Sequence, residues 1–460
     1  MGMIILMMQF KKVQEPFLFQ KKYSSCPLLP ILKPDCREIT AIIADTFYDS
    51  PSSKLKLIGI TGTNGKTTTA YLIESILNTA GYKPARLSTI SYKIGGSEVS
   101  AIQTTPEALD LQKMLAQAVQ SAATHVVMEV SSHALALHRT QNCNFDIAIF
   151  TNISQDHLDF HLTKENYVAS KMKLFKQLPQ SGIAIINIDD YYAQDIIFNT
   201  RAKIIAYGLK KHLLKTEFKN QSLIPQIYAY DIELTKTRTS FFFKCSKELG
   251  EIQPIQINLK LIGFHNIYNA LAAIACGIVE QIDIQTIKKG VESLQGVRGR
   301  FEIVDKGQNF TVVIDYAHTP DGLQNVLLSS KKLNPKRIIT VFGCGGDRDK
   351  KKRPQMGRIA TMLSDYTIIT SDNPRTESPE KILKEIKVGV VGHSYEIIVD
   401  REQAITKALN YAKKGDLILI AGKGHETYQI FRDKTIHFDD REIVEKILLD
   451  NKHGTNKNMR

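Results

Sequence analysis

The sequence predicts an α/β protein in two successive units: a central parallel-sheet domain of the P-loop type, followed by a C-terminal Rossmann-like α/β domain. Two observations carry this reading. From Leu57 onward, short and fully apolar runs alternate with helical periodicity, the pattern of strands covered by helices on both faces. That alternation changes character over residues 200–260 and resumes beyond a Gly-rich stretch, LQGVRGRFEIV. The length, 460 residues, suits roughly two to four domains.

Taken in order, LIGI (57–60) leads into a helix over about 67–80, and HVVMEV (125–130) into SSHALALH. DIAIFTN (146–152) precedes a helix near 165–178, and IAIINI (183–188) follows it. Between 200 and 260, IQINLKLIG and FFFK alternate in period two, which predicts an antiparallel flank. TVVIDYA, RIITVFG, DYTIIT, YEIIV and DLILIAG then each feed a turn and a helix. The expected boundaries are 1–57 for an amino-terminal remnant and linker, 58–297 for the central domain and 298–460 for the C-terminal domain. The first 57 residues contain one clear helical segment, 35–48, and are too short for an independent core.

Composition narrows the function classes. Hydrophobic residues are 43% and charged residues 23%, close to ordinary globular usage and unlike a disordered or fibrous chain. Lys and Arg number 60 against 47 Asp and Glu, a net charge of +13. Such an excess suits anionic small substrates as well as nucleic acid. Lys331, Lys332, Lys336, Arg337, Arg348 and Lys350–Arg353 are close in sequence, without Trp or interleaved aromatics to stack bases, which disfavours a nucleic-acid partner. Lys350, Lys351, Lys352 and Arg353 are expected on a solvated face. The six cysteines are scattered without metal-type spacing, which fits a reducing compartment. With no spanning apolar run and no signal-peptide pattern, the expected location is cytoplasmic, without membrane insertion.

GITGTNGKTTT (59–69) sits after a strand and opens a helix, the context of a phosphate-binding loop. Backbone N–H groups of the turn and the helix N-terminus are suited to cradle phosphate oxygens. Gly62, Thr63, Asn64 and Gly65 form the turn, Lys66 would neutralise β/γ charge, and Thr67 would hold Mg²⁺. The strict GxxxxGKT template has Gly where this chain has Ile60. Glu129, at the carboxyl end of the next strand, is placed to take a metal or to serve as a structural cap. NISQDHLDFH (152–161) brings Asp156, His157, Asp159 and His161 to another strand mouth.

TGTNGKTTT, MEVSSHAL, TNISQDHLDFH, GFHNIYNALAA, GRFE, DYAHTP and GCGGDRD occur in the order found in the Mur ligases, and the chain resembles that family from about residue 28 to about 448. The resemblance implies an ATP-dependent amide ligase of peptidoglycan precursor synthesis. DNPR (372–375) and GKGHETYQ (422–429) resemble the member that adds meso-diaminopimelate to UDP-N-acetylmuramoyl-L-alanyl-D-glutamate. It implies that Thr67 and Glu129 serve one Mg²⁺, and that His157 serves a second with Lys171 as a carbamate. Asn266 would lie near the adenine base, with Arg300 and Asp315 near ribose and phosphates; Arg300 could instead form a hinge salt bridge. Thr104, Thr105, Ser131 and Arg139 would bind the muramoyl peptide. Arg375 and Arg348 would take diaminopimelate carboxylates, and Asp372, Asn373, Pro374, Gly422 and Glu426 its remaining groups.

Three departures stand out. Gln103 replaces an Asn common before the Thr pair, Leu137 stands where a Gln is frequent, and the resemblance begins only near Leu28. Most of the family's amino-terminal uridine-binding domain is therefore expected to be missing, through a misassigned or truncated start or a protein that manages without it. The alternatives are a lysine-adding ligase, against which DNPR argues, and folylpolyglutamate synthetase, against which MEVSSH, DNPR and GKGHE argue together. An ATP-binding cell-wall partner without ligation is a further alternative, against which Lys66, Glu129, His157 and Lys171 argue. A monomer is expected.

Overall fold

A computed structural model of the chain describes residues 35–209, 225–235, 237–250 and 253–457, with short strands at Ile4–Ile5, Leu18–Phe19, Glu217–Phe218 and Gln221–Ser222. The expectation of a shortened amino-terminal domain falls largely on residues 1–34, which apart from the two short strands lie outside the described residues.

Two sheets organise the described chain. The larger has 11 strands, and its phosphate-loop strand, Lys56–Thr61, pairs in parallel with Ile147–Phe150 on one side and His125–Glu129 on the other. Parallel pairing continues outward to Pro84–Leu87 at one end and, through Ile183–Asn187 and Lys203–Leu209, to Ile227–Leu234 at the other. The expected antiparallel flank therefore begins later than the composition change at 200, with Thr239–Cys245 and Ile255–Leu259. The two preceding strands extend the parallel core because their apolar faces remain covered by the helix His265–Val279.

Alternation along the central strand divides the core. Ile58 and Ile60 join the cluster under the helices Lys66–Thr79 and His265–Val279, whereas Leu57 joins the opposite cluster with Leu111, Leu115 and Leu174. The helix Cys36–Phe47 packs on Ala108–Gln120, so the one helical segment expected before residue 57 is an added layer on the larger sheet. Lys164–Gln177 starts at Thr163, whose side chain accepts from the Asn166 N–H, a cap that contributes about 1 kcal/mol.

The smaller sheet has 6 strands, in the order Glu302–Val304, Thr311–Asp315, Leu417–Ala421, Ile338–Phe342, Tyr366–Ile369 and Tyr395–Ile397; only the first pairing is antiparallel. These are the five runs expected from the sequence, with one added edge strand. Between the sheets, Gly299 adopts φ +66°, and a Cβ there would meet the His425 backbone nitrogen at 2.2 Å. The Gly-rich junction is thus packed tightly against the second unit.

The basic stretch departs from expectation. Lys350 and Lys351 are exposed, but Lys352 and Arg353 are buried. Arg353 donates to Glu377 at 2.8 and 3.0 Å and to Glu385 at 2.6 Å. Local sequence shows a charge run; the carboxylates that neutralise Arg353 come from the loop of Glu377 and the helix of Glu385.

Candidate active site

The phosphate loop is held by the end of the neighbouring strand. Thr63 N–H donates to the Asn152 carbonyl at 2.7 Å, Asn64 N–H to Asn152 Oδ1 at 3.0 Å, and the Thr151 hydroxyl to the Asn64 carbonyl at 2.7 Å. Gly62 (φ +149°) and Gly65 (φ +87°) are required: a Cβ would lie 1.9 Å from Thr151 Oγ1 at the first and 2.4 Å from Asn269 Oδ1 at the second. Tyr167 braces the loop from outside, its hydroxyl 2.8 Å from Thr63 Oγ1. Lys66 Nζ donates to the carbonyls of Gly62 and Thr63, and the buried Lys171 Nζ donates to the Gly62 carbonyl.

A cavity of about 880 Å³ opens between the two sheets over this loop. Gly62, Thr63, Asn64, Gly65, Lys66, Thr67, Glu129, His157, Lys171, Thr104, Ser131, Arg300 and Asp315 all line it, from elements far apart in the chain. Arg300 reaches across from the second unit, donating from Nη2 to Thr67 Oγ1 at 3.1 Å and lying 4.6 Å over the Tyr316 ring. It makes no salt bridge among the described residues, so the hinge-pair alternative is not what the structure holds. Asp315 accepts from the Phe301 and Ala317 N–H groups, and burial raises its carboxyl above the ordinary range.

Some expected residues lie behind the wall. Asn266 donates to the Ile262 carbonyl and accepts from Asn269, and Asn269 is the amide that faces the cavity. The two lie three residues apart on one helix face, which sequence could not separate. Thr105 is buried against the Glu129 carbonyl, and Arg139 pairs with Glu107 at 2.6 Å and donates to Gln103 Oε1. Both support Thr104 and Ser131 without lining the cavity themselves.

The donor chemistry fits magnesium. Glu129 is fully buried, accepts from the Thr89 N–H at 2.8 Å and the Thr89 hydroxyl at 3.0 Å, and has no ion pair among the described residues. A buried carboxylate left so is costly unless a cation joins it. The Thr67 hydroxyl lines the same cavity, and the two would offer oxygens of the kind Mg²⁺ shares with phosphates and water. No group of three or more His, Cys, Asp or Glu side chains that could hold a metal gathers among the described residues. Burial pushes the His157 imidazole down to about 3 despite Asp156, whose carboxylate is 3.2 Å away. His157 is therefore neutral near pH 7, the form in which imidazole binds metals. Burial and the Lys66 charge lower Lys171 well below an ordinary lysine.

Several cavity residues were missed as site residues by sequence reasoning. His318 approaches Asp156 at 3.8 Å, Asn64 Nδ2 donates to Asp321 at 2.9 Å, and Thr89 orients Glu129. DYAHTP contained the signal for His318; nothing local marked Thr89.

The expected diaminopimelate set gathers at the strand ends of the smaller sheet. Asn373 Nδ2 donates to Glu426 Oε2 at 2.8 Å, and Gly422 (φ +116°) leaves space that a Cβ would take from Asp372, at 2.6 Å from its Oδ2. Pro374 and Gly346 are in backbone contact, and Arg375 Nη1 donates to the Gly346 carbonyl at 2.8 Å. Arg348 is exposed beside the same Gly-rich loop and donates to the Asp347 carbonyl. His425, in the loop of Glu426, lies 4.9 Å from the ring of Tyr316 on the cavity wall, joining the two regions.

The family model for the Mur ligase middle domain matches residues 60–277, and that for the Mur ligase glutamate ligase domain matches 299–424. The chain belongs to the Mur ligase family. It is 46% identical over 430 residues to the UDP-N-acetylmuramoyl-L-alanyl-D-glutamate–2,6-diaminopimelate ligase 1 of Clostridium acetobutylicum, covering 93% of this chain and 85% of that protein. The corresponding ligase of Bacillus cereus is 44% identical, over 89% of this chain and 81% of its own. A solved structure of a ligase of this name aligns with a TM-score of 0.61 and 32% identity, covering 91% and 84% of the two chains. Mycobacterium tuberculosis folylpolyglutamate synthase, solved with ADP and AMPPCP, shares the fold at TM-score 0.65 and 16% identity, over 85% and 92%.

Proposed function

We infer that this chain is an ATP-dependent ligase of peptidoglycan synthesis that joins meso-diaminopimelate to UDP-N-acetylmuramoyl-L-alanyl-D-glutamate. The observation that carries the reading is 42–46% identity to ligases of that name across 89–93% of the chain. The cavity between the sheets suits this chemistry. A carboxylate is a poor acyl donor, so ATP phosphorylates the D-glutamate γ-carboxylate and the diaminopimelate amine then displaces phosphate. Both steps bring anions together or build charge on oxygen, so charge neutralisation and positioning dominate catalysis.

The phosphate loop and the first turn of Lys66–Thr79 offer N–H groups to the phosphates, and Lys66 and Arg300 bring positive charge from the two units. Thr67 and Glu129 would hold one Mg²⁺, and His157 with carbamylated Lys171 a second; bound there, Mg²⁺ supplies positive charge to phosphate oxygens. Asn269 faces the region where the base would lie. Thr104 and Ser131 face the muramoyl peptide, with Thr105 and Arg139 behind them. Arg375 and Arg348 suit carboxylates, and Asp372 and Glu426 an ammonium. The unit boundaries proposed are 58–297 and 298–460. Cytoplasmic action as a monomer, without nucleic acid, completes the reading; no helix among the described residues is long and apolar enough to cross a membrane.

The test is phosphate release with ATP, Mg²⁺ and the UDP-linked dipeptide, comparing meso-diaminopimelate with L-lysine. Release that depends on diaminopimelate supports the reading. Release that depends on lysine overturns the substrate, and silence with both overturns the ligase.

A further inference from the structure

Lys423 is fully buried, yet the chemistry around it is all polar. Its Nζ donates to Glu426 Oε2 at 2.9 Å, to Asn373 Oδ1 at 3.1 Å and to the Tyr428 carbonyl. An ammonium has three donors, and each has a different acceptor. Asn373 Oδ1 also accepts from the Ile430 N–H at 3.0 Å, which turns its NH₂ toward Glu426 Oε2 at 2.8 Å. The Asn373 and Lys423 hydrogen bonds to the Glu426 carboxylate therefore both fall on one oxygen, Oε2. Asp372 stands beside it; burial would raise its carboxyl, but Lys423 and Arg401 outweigh that and hold it low.

The charge balance has a consequence. Asp372 and Glu426 set two carboxyl groups against the one ammonium of Lys423, burial and Asp372 raise the Glu426 carboxyl, and Arg401 pairs with Asp440 at 2.8 Å. The cluster offers carboxyl oxygens to a cation, and Arg375 adjoins it, its Nη1 3.5 Å from the Asn373 carbonyl. We propose that Lys423 is a positioning residue that locks Asn373 and Glu426 so that the pocket takes the ammonium borne on the same carbon as the carboxylate at Arg375. This rests on the diaminopimelate reading above and deepens it: Lys423 acts through Glu426 and touches no reacting atom. A buried ammonium is needed here because a neutral side chain would remove the strongest positive charge acting on both carboxyls and leave their mutual repulsion.

The experiment compares kcat/KM for meso-diaminopimelate with that for 2-aminopimelate, which lacks one amino group, in the full chain and in Lys423→Met. The unaltered chain should prefer diaminopimelate, and Lys423→Met should reduce that preference by about tenfold or more while leaving KM for ATP within about twofold. Adding Glu426→Gln to Lys423→Met should cost no further preference, because both act at one point. If Lys423→Met does not fold, Lys423→Gln carries the same readout. An undiminished preference in the folded variant, or an equal loss toward ATP and both amino acids, overturns the role of Lys423 and leaves the ligase standing. Failure of the unaltered chain to use diaminopimelate overturns both.

Discussion

Lys66 Nζ and Lys171 Nζ donate to the same acceptor, the carbonyl oxygen of Gly62, at 2.9 and 2.7 Å. Two ammonium groups on one oxygen in a buried place repel each other, and burial itself disfavours the charge. Lys171 carries the larger consequence: it is enclosed, its amine lies 4.7 Å from the Tyr167 ring face, and its pKa falls well below the usual lysine range. An amine held toward its neutral form is nucleophilic, as reaction with CO₂ to form a carbamate requires.

Activity should therefore depend on Lys171 and on CO₂. Lys171→Ala is expected to lower phosphate release by about 10²-fold or more, the scale of losing a charge-organising group at a phosphoryl-transfer centre. Degassed, bicarbonate-free buffer should lower the activity of the unaltered chain and leave Lys171→Ala where it was. Steady-state phosphate release in matched buffers measures both.

Arg300 is the cation that joins the second unit to the phosphate loop, through Thr67 Oγ1 at 3.1 Å. Arg300→Ala should raise KM for ATP by about tenfold, the worth of a hydrogen bond to a charged group, while the thermal midpoint changes little because Arg300 has no buried ion pair to break. Nucleotide titration followed by thermal unfolding separates the two.

Arg375→Lys keeps the charge and removes the planar fork. KM for diaminopimelate is expected to rise by about tenfold, with KM for ATP unchanged. Initial rates at varied amino-acid concentration give the answer.

The Arg353 cluster makes stability depend on acid. Hydrogen bonds from Arg353 lower the Glu377 carboxyl to about 2. Since the folded value is depressed, the stabilisation is fully present above the unfolded value of about 4.3. It is lost as pH falls from there toward about 2. Arg353→Met should cost about 2–4 kcal/mol at neutral pH, toward the lower end because Glu385 is partly open to water. Part of the acid-side slope of stability should vanish with it; denaturant unfolding between pH 7 and pH 3 measures both effects.

Local sequence marked five of the 6 strands of the smaller sheet and six of the 11 of the larger, together with the helix after the phosphate loop and the loop itself; Pro84–Leu87, Ser91–Ile94, Ser97–Ser100, Lys203–Leu209 and Ile227–Leu234 are not among them. Each element so marked rests on local physics: apolar runs that must be covered on two faces, glycines where the backbone enters the left-handed region, and a lysine and threonine at a helix start. It also marked Glu129 and His157 at strand mouths, while Lys171 was marked only by the resemblance to the Mur ligases; the cavity brings the three together. The tertiary structure decided what local pattern cannot contain. It turned Asn266 inward and Asn269 outward, because helical periodicity gives a face and not a contact. It buried Lys352 and Arg353 within a run that reads as solvated, and for Arg353 the carboxylates of Glu377 and Glu385 arrive from another part of the chain. It set Arg300 on Thr67, Asp321 on Asn64 and His318 near Asp156, and enclosed Lys423 among Asn373, Glu426 and the Tyr428 carbonyl. Charge and hydrogen bonding in a buried place depend on distance in space, and only the packing of the two units brings those distances within reach.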